Sequence, residues 1–168
     1  MLRMCLSRQD LRSAFTLIEL LIVIAIISIL AMIALPNFLE AQTRAKVSRV
    51  VNDFRTIKTG VEAFAVDHGA YPSSLNNAVT PIAYLSNVPQ SPFTQEGHYR
   101  YLSTGFGGLG VIFYRMASVG PDQQPDFDIG MNEQWIVDND PRFLATVYDP
   151  TNGTTSRGDI IGTNRQIR

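Results

Sequence analysis

The chain has 168 residues, 45% of them hydrophobic and 17% charged, with 14 Lys and Arg against 15 Asp and Glu and a formal net charge of -1. That length can bury one modest core, the composition excludes a disordered tail and a fibrous repeat, and near-neutrality excludes nucleic-acid binding through bulk charge. The averages join two populations: from Leu20 to Leu35 every residue except Ser28 is apolar, whereas the later chain is polar and rich in turn residues.

Residues 1–14 carry Arg3, Arg8 and Arg12 against the single acid Asp10. The only cysteine, Cys5, precludes an intrachain disulfide, and with no apolar stretch ahead of it a lipoprotein anchor has nothing to enter a membrane with. Phe15 to Leu35 then gives 21 residues. As a helix that is roughly 31 Å at ~1.5 Å per residue, enough to cross a hydrocarbon layer of ~30 Å. A signal-peptide core is about 7–15 residues and is followed by a small-x-small cut; neither condition is met. The cations ahead of the span predict a cytoplasmic N-terminus with the rest of the chain beyond that membrane.

Glu19 is the anomaly of the span. A carboxylate in hydrocarbon is costly and needs a partner, and no Lys or Arg lies between Arg12 and Arg44. Cutting the chain before Phe15 would generate an amine close to it.

Ser13-Ala14-Phe15-Thr16-Leu17-Ile18-Glu19-Leu20, followed by the apolar run and Pro36, resembles the type IV prepilin signature. The resemblance implies that a membrane aspartyl prepilin peptidase removes residues 1–14 on the cytoplasmic side, between Ala14 and Phe15, and that the new amine of Phe15 is methylated. It also implies that Glu19 is the assembly carboxylate and Pro36 the helix-distorting proline. Family members usually have Gly where Ala14 stands; alanine is still small enough for a peptidase pocket. An uncleaved signal anchor is the alternative.

From Glu40 to Asp67 the apolar positions Val47, Val50, Val51, Phe54, Ile57, Val61 and Phe64 step by three and four, as on one helix stripe. Glu40 and Arg44, Arg49 and Asp53, and Lys58 and Glu62 stand four apart, as a solvated face of weak ion pairs. With only Pro36-Asn37 between them, the greasy and amphipathic segments predict one long helix ending at His68-Gly69. A kink or local unwinding is expected at Pro36, which removes the hydrogen bond to Met32.

Beyond Pro72 short β-prone runs appear at Tyr99 to Leu102, Val111 to Ser118 and Gln134 to Val137, with Gly105, Gly107, Gly108 and Gly110 in a loop between the first two. The expected fold class is α+β: the long helix packed on a small antiparallel sheet of three or four strands, a layout shared by pilin-like proteins. The expected organisation is a leader at 1–14, a membrane and filament-core helix at 15–39, an amphipathic helix at 40–69 and a sheet-bearing head at 70–168. Tyr148 to Gly153 and Gly158-Asp159-Ile160 read as ordered turns of no assigned role.

Between Pro121 and Pro141 stand Asp122, Asp126, Asp128, Glu133, Asp138 and Asp140, with no Lys or Arg. Uncompensated acids invite a cation, and Ser118 to Asp122 with Asp126 to Gly130 resembles the calcium loop of major pseudopilins. Calcium, which takes six to eight oxygens, is therefore expected at Asp122, Asp126 and Asp128 with loop carbonyls; a solvated acidic loop is the alternative. His68 and His98 have no neighbours at zinc-ligand spacing.

Two classes of function compete. An anchored extracytoplasmic enzyme or binding module would need a nucleophile with a base, or a metal cluster, and neither is visible; Gly105 to Gly110 lacks the Lys and following helix of a phosphate loop. A filament subunit accounts for Phe15, Glu19 and the apolar helix together. The resemblance, with the acidic loop and the cysteine-free chain after Phe15, implies a pseudopilin of a type II secretion system, with a type IV pilus subunit for adhesion, motility or DNA uptake as the alternative. Its implied partners are copies of itself, other pilin-like subunits, the peptidase and an inner-membrane assembly platform, with no nucleic acid.

Overall fold

The structure, a computed structural model, describes residues 15–94, 97–105, 111–130, 136, 138, 140–152 and 157–164. It divides into two compact units, Met1–Leu39 and Glu40–Arg168. One helix, α1 (Leu17–His68), contributes to both.

In the first unit α1 begins with a capping box. The Thr16 hydroxyl accepts from the Glu19 amide at 3.3 Å, and the Glu19 carboxylate accepts from the Thr16 amide and hydroxyl, each at 2.8 Å. The helix that follows is long and apolar enough to cross a membrane, and its apolar stretch is unburied. Its few polar side chains fold back onto the helix: the Ser28 hydroxyl donates to Ile24 O at 2.7 Å and the Asn37 amide to Ile33 O at 3.3 Å. The expected unwinding at Pro36 is absent, since helical structure runs unbroken through it. A proline deletes only one hydrogen bond, and the Asn37 side chain supplies a donor one turn before its own position.

In the second unit the stripe of α1 that enters the core is Val50, Phe54, Ile57, Gly60 and Val61. Val51, one residue and ~100° off that line, is 38% exposed. Val47 packs at the margin. The helix stops at Gly69, whose φ of 71° is the left-handed conformation and whose amide donates to Ala65 O. His68 stacks on Phe64 with ring centroids 4.0 Å apart.

The sheet is antiparallel in the order β1 (Arg100–Gly105), β2 (Val111–Ser118), β3 (Ile160–Thr163). The central strand β2 faces both ways with period two. Tyr114 and Met116 meet the α1 stripe, and Phe113 and Ala117 meet a second core of Phe127, Ile136 and Phe143. Phe143 sits on the short helix α2 (Pro141–Leu144), capped by Asp140, whose carboxylate accepts from the Arg142 amide at 2.8 Å. The Arg142 side-chain and backbone hydrogen bonds pull the Asp140 carboxyl down to about 2.

The third strand differs from expectation. Of Gln134 to Val137 only Ile136 is described, and it is helical and buried; Gln134, Trp135 and Val137 lie outside the described residues. The partner of β2 is β3, with Ser118 opposite Ile160 and Arg115 opposite Thr163. Gly107, Gly108 and Gly110 also lie outside the described residues, in the connection between the paired strands β1 and β2.

The ion pairs differ too. Arg44 pairs with Glu40, and Arg49 stands 3.9 Å from Asp53. Glu62 leaves Lys58 and accepts instead from the hydroxyls of Tyr71 at 3.1 Å and Tyr114 at 3.4 Å, as Asp53 accepts from Tyr99 at 2.7 Å. Tyr99 and Tyr114, both buried, and the partly buried Tyr71 offer these acids directional donors where lysine offers only a screened surface charge.

Candidate functional site

Two places carry the chemistry expected from the sequence, one in each unit. At the head of α1, Phe15 is 80% exposed and directly precedes the Thr16–Glu19 box. The box is written in the sequence as Thr-x-x-Glu before an apolar run. The Glu19 carboxylate thus caps its own helix and stands one helical turn from the start of the chain's apolar stretch. Ala14 lies outside the described residues. Pro36 lies mid-helix, with the Asn37 amide reaching back to Ile33 O.

The second place is the loop that leaves β2 at Ser118. A turn closes where the Gln123 amide donates to Gly120 O at 3.0 Å, with Gln123 itself at φ 60°. Asp122 Oδ1 accepts from the Gln124 amide at 3.3 Å, and Asp128 Oδ1 accepts from the Gly130 amide at 2.8 Å. Asp126 serves a different purpose: its Oδ2 accepts from the Gly158 amide at 3.0 Å, across the chain. Gly120 is required here, because a Cβ on it would stand 2.1 Å from Gly158 O.

What holds this loop to the sheet is Asp159, which the sequence reading passed over as a turn residue. It is fully buried. Its carboxylate accepts from the amides of Asp126 at 3.2 Å and Phe127 at 3.1 Å, and pairs with Arg100, whose other guanidinium nitrogen donates to Phe127 O at 2.7 Å. Its backbone bridges to the chain after α2, accepting from the Tyr148 amide at 2.9 Å and donating to Thr146 O at 2.7 Å. Burial pushes the Asp159 carboxyl above the usual carboxylate range, against the downward pull of those amides and of Arg100. No periodicity marks a buried aspartate; the Gly before it, at φ 105°, was the only local signal.

The three acids expected to bind calcium therefore share a loop but not a pocket. Among the described residues no group of three or more His, Cys, Asp or Glu side chains is arranged to hold a metal. Each of the three accepts one backbone amide through a single oxygen, from Gln124, Gly158 and Gly130 in turn, so a calcium shell here would draw on the second oxygens of Asp122, Asp126 and Asp128 with backbone carbonyls.

The family described as the prokaryotic N-terminal methylation motif matches residues 11–35. A type II secretion system core protein G from Klebsiella michiganensis is 30% identical over 140 residues, spanning 73% of this chain and 94% of that protein. The protein of the same name from Dickeya chrysanthemi is 28% identical over 140 residues, 74% of this chain and 87% of that one. A fimbrial protein of Neisseria meningitidis is 43% identical, but over 80 residues, 48% of this chain and 46% of its own length. No solved structure matches. The fimbrial likeness covers only about half of each chain, whereas the core protein G relatives cover about three quarters of this chain and most of their own length. By that extent the chain belongs to the family of type II secretion system core protein G, the major pseudopilins.

Proposed function

We propose that this chain is the structural subunit of a pseudopilus, a filament assembled from the inner membrane that drives protein export by a type II secretion system. The observation that carries the reading is the unburied apolar helix headed by Phe15, Thr16 and Glu19. Such a helix is soluble only in lipid or among copies of itself. Moving from lipid to neighbouring apolar helices costs little, so the same surface can serve as anchor and as filament core.

On this reading prepilin peptidase cuts between Ala14 and Phe15, the Phe15 amine is methylated, the N-terminus is cytoplasmic and the head is periplasmic. Other pilin-like subunits and an inner-membrane assembly platform are its partners. Residues 1–14 carry a charge of +2, so the mature chain falls from -1 to -3 and loses its only cysteine. Intact mass of the membrane-purified protein from cells with an active peptidase tests this: the expected species starts at a methylated Phe15. A chain still starting at Met1 overturns it.

Calcium at the loop from Ser118 to Gly130, with Asp122, Asp126 and Asp128 supplying carboxylates, is the second part of the proposal. The run of six acids without a Lys or Arg supports it. A cation that binds only the folded head stabilises it by about 2.7 kcal/mol at a hundredfold excess over its dissociation constant. A fragment beginning at Glu40 should therefore melt higher in calcium than in chelator, and Asp122→Ala or Asp128→Ala should remove the difference. Identical melting in both buffers marks the loop as solvated and metal-free.

A further inference from the structure

Beside the edge strand β3 lies a shallow groove of about 190 Å3, lined by Val51 and Phe54 of α1 and by Met116 and Gly162 of the sheet, with Arg55 and Lys58 on its rim. Gly162 holds it open: a Cβ there would come within 3.0 Å of Phe54 Cδ2 and 3.1 Å of Met116 Cγ. Val51, beside the buried line of α1, is 38% exposed.

The rim is electrostatically unfinished. Arg44 has Glu40, Arg49 has Asp53, and Lys46 lies 5.9 Å from the centroid of the Phe93 ring. Among the described residues Arg55 and Lys58 make no ion pair; Glu62, the acid four residues after Lys58, is turned to Tyr71 and Tyr114. The same chain carries the opposite defect elsewhere. The loop after β2 displays Asp126 and Asp128 as exposed acids, within a stretch of six carboxylates containing no Lys or Arg.

We propose that this groove is the seat of a second copy of the chain, which docks through its acidic loop of residues 122–128. The inference rests on the filament reading and names a contact within it. A groove on one copy and a loop on the next can repeat head-to-tail, and in a filament, where the rotation does not close, that contact builds an open helical array. Asp122, Asp126 and Asp128 carry three negative charges against the two of a calcium ion, so the loop stays acidic when the metal is bound. Exposed charge pairs of this kind set register and orientation more than affinity, so the contact aligns heads whose cohesion comes from the packed helices.

Because the mature chain has no cysteine, paired substitutions report the contact directly in the full-length protein, in cells with the secretion machinery. Val51→Cys with Gln124→Cys changes no charge and should give, after mild oxidation of sheared filaments, a ladder of disulfide-linked multimers. Each single variant, and Val51→Cys with Asp149→Cys, should give none. Arg55→Glu with Lys58→Glu should leave leader removal and membrane insertion intact and lower filament number at least tenfold. Filaments of the double-cysteine variant without a ladder, a ladder equally strong with Asp149→Cys, or normal filament number after the charge reversals would each overturn the contact. A wild-type chain that is processed yet forms no filament at all defeats the functional reading instead.

Discussion

The Glu19 carboxylate already has two partners within the chain, the amide and the hydroxyl of Thr16. Helix capping and charge pairing with a neighbour's Phe15 amine can therefore be separated by choice of substitution. Glu19→Gln keeps a carbonyl oxygen for the Thr16 amide and loses only the charge; Glu19→Ala loses both. If the charge sets register between subunits, the two variants should be processed and inserted normally and should both fail to polymerise, with Glu19→Asp less impaired. Immunoblots of the processed form, read beside electron micrographs of sheared filaments, check this. Regular filaments from Glu19→Gln would show that the cap alone suffices.

At the scale of elements, Gly60 sits on the buried line of α1, where it meets the segment around Leu85. Alanine is the better helix former by about 1 kcal/mol, yet a Cβ on Gly60 would lie 2.4 Å from Leu85 Cδ2 and 3.0 Å from Tyr84 O. Leu85 is itself buried and has little room to withdraw. Overpacking of about 1–3 kcal/mol exceeds the propensity gain, so Gly60→Ala should destabilise the head by about 1 kcal/mol in urea unfolding.

The helix was legible from the sequence because its signals are long and periodic: the apolar run, the line through Val50, Phe54, Ile57 and Val61, and the Gly69 stop. Strand β3 was not legible, since Ile160 to Thr163 is four residues with a glycine inside, too short for alternation to register. The second core was invisible for a related reason. Phe127, Ile136 and Phe143 come from a loop and short helical segments and share no period, and the far face of β2 brings them together. Asp159 belongs with them, because nothing local distinguishes a buried aspartate from a turn one.

For the head as a whole, tyrosine ionisation reports the packing between α1 and the sheet. Burial, reinforced by the neighbouring acids Asp53 for Tyr99 and Glu62 for Tyr114, pushes the phenols of Tyr99, Tyr101 and Tyr114 well above their ordinary value. Unfolded tyrosines ionise near pH ~10. Since the folded values are higher, this stability is fully present below that pH and is lost as pH rises above it, when the unfolded chain gains phenolates that the folded head resists. Absorbance at alkaline pH should show these three tyrosines ionising together with unfolding, after the exposed ones. Their gradual titration in a head that keeps its near-ultraviolet circular dichroism would contradict the packing.

The strand that finishes the sheet is synthesised about forty residues after the one it pairs with, from Ser118 to Ile160. At roughly 5–20 residues per second, β2 therefore waits several seconds with one side unzipped before β3 exists to cover it. The late arrival of β3 makes the rate of synthesis, as well as the final packing, a determinant of how long that edge of β2 stays open.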